Sequence, residues 1–150
     1  PSNLIEGMLK RSGNAIVFDA GELQAPLPDT ATEGVKSFID KPVYLGIRPE
    51  DIDLREKAGA HPDAIFKATV DVSEMLGNEV IVHLTAGKHR FQVRVDPHNR
   101  PVLEGVMEVC PRMSRAHVYD RETGRNLTIP ASLHSKAFAA VPDAPVAKAG

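Results

Sequence analysis

The 150-residue chain has one cysteine, no tryptophan, five phenylalanines and two tyrosines. A single cysteine cannot form an internal disulfide, which favours a reducing compartment. With so few aromatic rings, a binding face built on stacked rings is poorly supplied. No apolar run approaches the ~20 residues of a membrane-spanning helix, and no signal-peptide pattern is present. These absences predict a soluble, cytosolic protein.

The bulk composition is that of an ordinary globular protein, with 42% hydrophobic and 25% charged residues. This length suits one domain or two very small ones. The formal net charge of -2 disfavours a dedicated nucleic-acid or anionic-membrane binder, because such proteins normally carry a basic excess. The chain begins at Pro1 rather than at methionine, so we expect it to be processed or part of something longer.

Alternating apolar and polar residues are the main structural signal. The clearest run is 89–95, with Phe91, Val93 and Val95 on one face. Residues 64–76 predict a strand with Phe66, Ala68, Val70 and Val72 on one face, returning through a Gly77-Asn78 turn into 79–86. About ten short strands with almost no helical periodicity predict an all-β fold, a small barrel or sandwich.

Three segments depart from this pattern. Pro26 and Pro28 place a third short strand at a sheet edge. Residues 29–42 predict a loop with a short helical or strand piece, and 54–63 a surface connection. Residues 131–150 contain seven alanines and two prolines, and we expect a flexible, mostly disordered tail there.

No group of residues indicates an active site or a metal site. The chain has no phosphate-binding loop, and its six histidines lack metal-ligand spacing. No basic partner is visible for Cys110, which is interpreted as a buried, unreactive thiol. Glu74 and Glu79 flank a hairpin turn, where solvent favours a structural role over acid-base chemistry. We therefore predict no catalytic, cofactor-binding or metal-binding residues in this chain.

Several short motifs occur here in one order: "LGIRPEDI", "VSEMLGNEVIVHL", "FQVRVDP", "GVMEVCP" and "AHVYDRETGRNL". The series resembles the C-terminal regulatory domain of the ATP-binding subunit of carbohydrate-type ABC importers, the maltose and glycerol-3-phosphate group. The resemblance covers about residues 1–130, and Tyr119 stands where phenylalanine is usual. The motif residues, which we expect to be structural or interface residues, are Gly46, Ile47, Arg48, Pro49, Glu50, Glu74, Leu76, Gly77, Asp120, Thr123 and Gly124.

The resemblance implies an oligonucleotide/oligosaccharide-binding (OB)-like β-barrel of the transport-associated (TOBE) type over residues 1–130. It implies a non-enzymatic regulatory and dimerisation role, in which two such domains stabilise the ATPase dimer. Its partners would be its own ATPase domain, a second copy of the subunit, the importer membrane subunits indirectly, and a regulatory protein in some relatives. ATP and Mg²⁺ would belong to the ATPase domain upstream of Pro1. The location would be the cytoplasmic face of the cell membrane.

The "GIRPE" corner itself has two interpretations. Pro49 ends strand pairing because it lacks an N–H, and Glu50 and Asp51 suit the start of a short helical turn. Arg48 paired with a partly buried carboxylate would then fix the strand exit as a structural clamp. The alternative is a direct contact between Arg48 and a partner protein.

Two other functions stay open at this point. A free-standing small-ligand barrel for an oxyanion or a sugar could use Arg90, Arg94 or backbone turns as donors. An oligonucleotide-binding barrel could use the same basic strand face. The acidic residues that balance these arginines and the scarcity of aromatic rings favour a solvated strand face over nucleic-acid binding.

Overall fold

The computed structural model describes residues 2–99 and 102–128. The strands of this part are β1 (Asn3–Ser12), β2 (Ala15–Asp19), β3 (Gln24–Pro26), β4 (Pro42–Ile47), β5 (Ile52–Leu54), β6 (Phe66–Leu76), β7 (Glu79–Ala86), β8 (His89–Val95), β9 (Val106–Pro111) and β10 (His117–Asp120). A four-residue helix, α1, spans Thr32–Val35. Single 3-10 turns span Asp29–Ala31, Lys36–Phe38, Pro49–Asp51, Arg55–Lys57, Pro97–Asn99 and Met113–Arg115.

The ten strands form two antiparallel five-stranded sheets. Sheet A has the order β10-β4-β1-β2-β3, and sheet B has the order β5-β9-β6-β7-β8. The predicted all-β class and the strand number are confirmed. The short β3 lies at the edge of sheet A, as its prolines predict. Residues 29–41 contain α1, two 3-10 turns and an isolated bridge between Ile39 and Leu9.

The inner faces of the two sheets share one hydrophobic core. Sheet A contributes residues such as Phe18 and Leu45, and sheet B contributes Phe66, Leu84 and Val93, each at most 3% exposed. The same alternation that predicts the strands also fills this core, because every second side chain of a strand lies on the same face.

Strand β6 departs from its predicted alternation. Val70 pairs with Leu84 and Val72 with His83, so Asp71 is an extra residue in a β-bulge. Such an insertion moves every later side chain to the opposite face. Val72, which we expected beside Phe66 and Ala68 in the core, is instead on the outer face and 52% exposed. The prediction for Val72 was therefore wrong, while that for Phe66 and Ala68 is confirmed.

One further sequence prediction was incomplete. Ile52–Leu54 forms β5, which pairs with the end of β9, although the sequence predicts only the corner and a surface connection there. After the turn that follows β10, the described residues up to 128 form a bridge between Tyr119 and Asn126. The predicted tail, residues 131–150, lies outside the described residues, and the domain boundary at 130 stays a prediction.

Side-chain hydrogen bonds join the two sheets away from the core. The side chain of Asn3 in β1 bonds the backbone of Gln92 in β8, and the Nε2 atom of His89 lies 2.8 Å from the Ala20 carbonyl oxygen. Along the chain, sheet A passes into sheet B at the corner between β4 and β5. Within residues 2–99 and 102–128, no helix has the length and hydropathy of a bilayer-crossing segment.

Candidate functional site

The corner after β4 is a tight turn that carries the chain from sheet A to sheet B. Arg48 is extended, at φ -75° and ψ 149°, as expected for a residue before proline. Pro49 is buried and opens a 3-10 turn in which the Asp51 N–H donates to the Arg48 carbonyl at 2.9 Å. The predicted helical turn at this corner is confirmed.

Gly46 is required because an aromatic ring lies directly over it. A Cβ atom at this position would lie 2.6 Å from Cε2 of Tyr119 and 3.5 Å from Cδ2 of Leu4. Tyr119 belongs to β10, which pairs with β4 so that His117 opposes Gly46. The missing side chain of Gly46 therefore lets the Tyr119 ring pack against β4.

The charges at the corner are arranged differently from the predicted Arg48 clamp. Arg48 is exposed, and among the described residues no carboxylate lies within 4.0 Å of its guanidinium group. Glu50 instead reaches Arg94 of β8 at 3.7 Å, and Arg94 also pairs with Glu79 of β7 at 3.2 Å. Glu50, rather than Arg48, therefore forms the ion pair between the corner and sheet B. The hypothesis that Arg48 acts as the clamp is wrong.

A second ion pair, between Arg112 and Asp53, was not predicted from the sequence. The guanidinium of Arg112 donates two hydrogen bonds of 2.9 Å to the carboxylate of Asp53. The backbone N–H of Arg112 donates to the Asp51 carbonyl at 2.9 Å. A bidentate arginine-carboxylate pair fixes both distance and orientation, so the start of β5 is locked to the residue that follows β9. Nothing in the sequence spacing of 59 residues could have indicated this pair.

The Asp120-Thr123-Gly124 motif forms a self-bonded turn after β10. Asp120 accepts hydrogen bonds from the Glu122 N–H at 3.0 Å and from the Thr123 hydroxyl at 2.8 Å. Gly124 has φ 77°, a left-handed conformation that glycine adopts without strain, and its N–H donates to the Asp120 carbonyl. The turn returns the chain along β10, where the Leu127 N–H bonds the Val118 carbonyl at 2.7 Å.

His117 lies in a partly buried network formed by this returning segment. Its Nδ1 lies 3.1 Å from the Asn126 amide nitrogen and 3.0 Å from the Thr128 hydroxyl oxygen. Burial, with the positive charge of Arg48 as the second cause, lowers the pKa of His117 below its ordinary value of 6.5. Burial also raises the pKa of Tyr119. Burial therefore favours the neutral imidazole at this position.

The hairpin motif joins β6 to β7. Gly77 has φ 67°, which the turn requires, and Leu76 opposes Glu79 in the register. The carboxylate of Glu74 contacts Nε2 of His83 on the neighbouring strand. Leu76 is 50% exposed, so this part of the motif does not contribute to the core.

The three motifs form one connected assembly. The corner and the closing turn meet through the pairing of β4 with β10, and Arg94 links Glu50 of the corner to Glu79 at the hairpin. The contacts are packing, backbone bonds and ion pairs, which hold a shape rather than perform chemistry.

Among the described residues no group of three histidine, cysteine or acidic side chains could hold a metal ion. Cys110 is 2% exposed, and burial raises the pKa of its thiol, as expected for an unreactive cysteine.

A half-open cleft of 520 Å³ lies where β1 meets the outer face of sheet B. Its polar side chains include Asn3, Asp71, His83, Arg90 and Gln92. Arg90 and Arg94, the predicted basic face, do lie on the same side of β8, opposite Thr85 and Ile81 of β7. Arg94 is neutralised by two glutamates, whereas the ion pairs described for this structure include none for Arg90.

Comparison with known protein families identifies both halves of the fold. The model of the MalK OB fold domain matches residues 1–52, and the model of the TOBE domain matches residues 45–118. The part of the chain from 1 to 118 consists of a MalK OB fold domain and a TOBE domain. The two matches overlap at residues 45–52, the corner where sheet A passes into sheet B. The family resemblance suggested by the sequence motifs is thus confirmed, and neither matched domain is an ATP-hydrolysing domain.

Curated relatives of this TOBE domain are ABC transporter ATP-binding proteins. The uncharacterized ABC transporter ATP-binding protein YurJ of Bacillus subtilis is 27% identical over 81% of this chain and 34% of its own length. The trehalose/maltose import ATP-binding protein MalK of Thermococcus litoralis is 30% identical over 83% of this chain and 34% of its own length. The multiple sugar-binding transport ATP-binding protein MsmK of Streptococcus mutans is 35% identical over 59% of this chain. The chain thus spans about a third of the length of the first relatives it matches.

The fold also resembles a solved structure with little sequence similarity. The cytoplasmic molybdate-binding protein ModG superposes with a TM-score of 0.56 at 14% identity, covering 77% of this chain and 94% of ModG. At this identity the likeness supports the OB-like fold and nothing finer.

Proposed function

We propose that this chain is the regulatory and dimerisation domain of the ATP-binding subunit of an ABC importer for a sugar or glycerol-3-phosphate. The observation that carries the proposal is that two domain models, the MalK OB fold and TOBE, match residues 1–118 with a shared corner. The printed names of MsmK, MalK and the oligosaccharides import protein MsmX support sugar import as the parent's activity.

The structure supports a mechanical role. The two sheets share one hydrophobic core and are joined by the hydrogen bonds between Asn3 and Gln92, while the pair Glu50–Arg94 links the corner to sheet B. These contacts support a domain that moves as one unit. A unit of this kind can hold two ATPase domains together while their nucleotide sites open and close. Catalysis, with ATP and Mg²⁺, would belong to the ATPase domain rather than to this one.

The partners follow from this role. The domain would contact its own ATPase domain and a second copy of the subunit, reach the membrane subunits through the ATPase domain, and receive a regulatory protein. It would bind no nucleic acid, since the net charge is -2. It would work in the cytoplasm, at the inner face of the cell membrane.

The test is to isolate the native protein with an antibody raised against residues 2–128. We expect a band well above 16.2 kDa, with peptides of an ATPase domain in the same polypeptide and importer membrane subunits in the same complex. Chemical cross-linking of that complex should yield a dimer joined through this domain. A 16.2 kDa band without ATPase peptides would contradict the proposal.

The cleft beside Arg90 favours a second candidate, a small-ligand module for an oxyanion or a sugar. Its volume of 520 Å³ falls within the ~300–1,000 Å³ range of small-molecule sites. Calorimetry with molybdate, sulfate, sugar phosphates and free sugars separates the candidates. Saturable binding that Arg90→Gln abolishes would favour the ligand module, whereas no heat from any of these compounds would exclude these ligand classes.

A further inference from the structure

The second half of β6 is an exposed sheet edge. Strand β9 pairs with β6 only from Phe66 to Thr69, and the last described hydrogen bond on this side runs from the Val70 N–H to the Gly105 carbonyl at 2.8 Å. From Val72 to Leu76 the strand pairs with β7 alone within the described residues, and all six residues from Asp71 to Leu76 are exposed. A free strand edge presents unpaired N–H and carbonyl groups that can accept another strand.

The bulge at Asp71 gives this edge an apolar character. Because it shifts the alternation, Val72, Glu74 and Leu76 share the outer face with Ile81 and His83. Without the bulge, Val72 and Leu76 would lie on the core-facing side with Phe66. Val72 is 52% and Leu76 50% exposed, and the Glu74 side chain between them is 53% exposed. The outer face of the edge therefore reads apolar-acidic-apolar at every second residue.

The opposite face of the same edge presents Met75. Met75 is 65% exposed and lies in a row with Val80 and Val95 across sheet B. Beyond this row, Met75 and the segment around Pro97 and His98 line a shallow depression of 480 Å³. A strand added beside β6 would place apolar atoms against Met75 as well as against the Val72–Leu76 face.

The charge of the edge decides which kind of strand fits. Asp71 and Glu74 both lie within the free segment, which contains no lysine or arginine. Glu74 contacts His83, but that histidine lies on β7, on the side away from the free edge. Two copies paired antiparallel about a two-fold axis, with their Val72–Leu76 faces aligned, would place the two Glu74 carboxylates opposite or diagonal to each other. Like charges in cross-strand positions are destabilising. A partner with a basic residue at that position is complementary instead.

We propose that residues 71–76 are a docking edge for an extended segment of another protein with the pattern apolar-x-basic-x-apolar. The segment adds to sheet B as a sixth strand next to β6, with backbone bonds supplying affinity and its basic side chain opposing Glu74. This inference goes beyond the proposed function and does not depend on it, because the edge needs neither ATPase domain nor membrane subunits.

The test is a nuclear magnetic resonance titration of the 150-residue chain with two capped peptides, Thr-Val-Thr-Lys-Thr-Val-Thr and the same peptide with glutamate at its centre. We expect saturable shifts centred on the amides of 71–76. We also expect the lysine peptide to bind about fivefold more tightly than the glutamate peptide, as one favourable cross-strand charge pair allows.

Two charge reversals make the test specific. Glu74→Lys should reverse the preference between the peptides, and Glu74→Gln should abolish it. Glu108→Lys is the matched control, since Glu108 is also an exposed glutamate of sheet B but lies on β9, away from the free edge. It should leave the lysine preference unchanged.

Four results would overturn the proposal. The first is the absence of saturable binding by either peptide, and the second is shifts that lie outside the hairpin. The third is a change in the chemical shifts of the 71–76 amides with protein concentration in the absence of peptide, which would assign the edge to a second copy. The fourth is binding by a chain ending at residue 128 but not by the full chain, which would assign the edge to residues 129–150.

Discussion

The side-chain amide of Asn3 forms the two backbone hydrogen bonds with Gln92 that a neighbouring strand would otherwise form. Its Nδ2 donates to the Gln92 carbonyl at 2.8 Å, and its Oδ1 accepts from the Gln92 N–H at 2.7 Å. Strand β8 is the edge of sheet B, so these two backbone groups have no strand partner there. Asn3, at the start of β1 in sheet A, therefore forms hydrogen bonds with two backbone groups at the edge of sheet B.

Asn3→Ala should destabilise the fold by about 2 kcal/mol, because it leaves two partly buried backbone groups without partners. Urea unfolding followed by far-ultraviolet circular dichroism measures the change. Ser2→Ala is the control, since Ser2 is exposed and makes no side-chain hydrogen bond described for this structure. Equal stability of the Asn3→Ala and Ser2→Ala variants would show that water replaces the amide without cost.

Gly46→Ala should destabilise the fold by about 1–3 kcal/mol, the usual cost of overpacking. The new Cβ would lie 2.6 Å from the Tyr119 ring, which would have to move. In a Tyr119→Ala background the same substitution should cost much less, since the colliding ring is gone. A double-mutant cycle with a coupling energy near zero would contradict this packing explanation.

The inner faces of the sheets could be predicted from alternation because burial follows the two-residue period. Phe66, Phe91 and Val93 are buried as their positions in the pattern require. The alternating pattern predicted the wrong face for Val72 because the bulge inserts one residue, and no residue type in the sequence indicates this insertion. Asp71 in a strand is no clearer a signal of a bulge than any other exposed acidic residue.

The candidate site was predictable as motifs but not as contacts. Glycine, proline and the Asp-x-x-Thr-Gly segment identify turns, since each residue type suits a specific backbone geometry. Which carboxylate pairs with which arginine depends on the packing of distant strands. For this reason the sequence suggested a partner for Arg48, whereas the structure pairs Glu50 with Arg94 and Asp53 with Arg112.

Arg48→Ala should leave the unfolding free energy within about 0.5 kcal/mol of the parent value, because exposed substitutions without partners are usually neutral. Arg112→Ala should lower it by about 1 kcal/mol, since it removes a bidentate pair whose arginine is half exposed. Thermal unfolding of both variants at low and high salt measures the difference. A larger loss for Arg48→Ala than for Arg112→Ala would restore the clamp interpretation.

Lowering the pH from 7 to 5 should destabilise the fold in part through His117. Its folded-state pKa is lowered, so the unfolded chain binds the proton more readily. The stability that the neutral imidazole contributes is present above the unfolded-state value near 6.5 and is lost as the pH falls through the folded-state pKa.

His117→Gln should therefore be less stable than the parent at pH 7 but lose less stability between pH 7 and pH 5. Urea unfolding at a series of pH values measures how the unfolding free energy of each protein changes with pH, and this change is the slope compared here. The matched control is His61→Gln, which makes the same substitution at an exposed histidine. If His117→Gln and the parent have the same slope, the imidazole titrates alike in both states and its network does not hold it neutral.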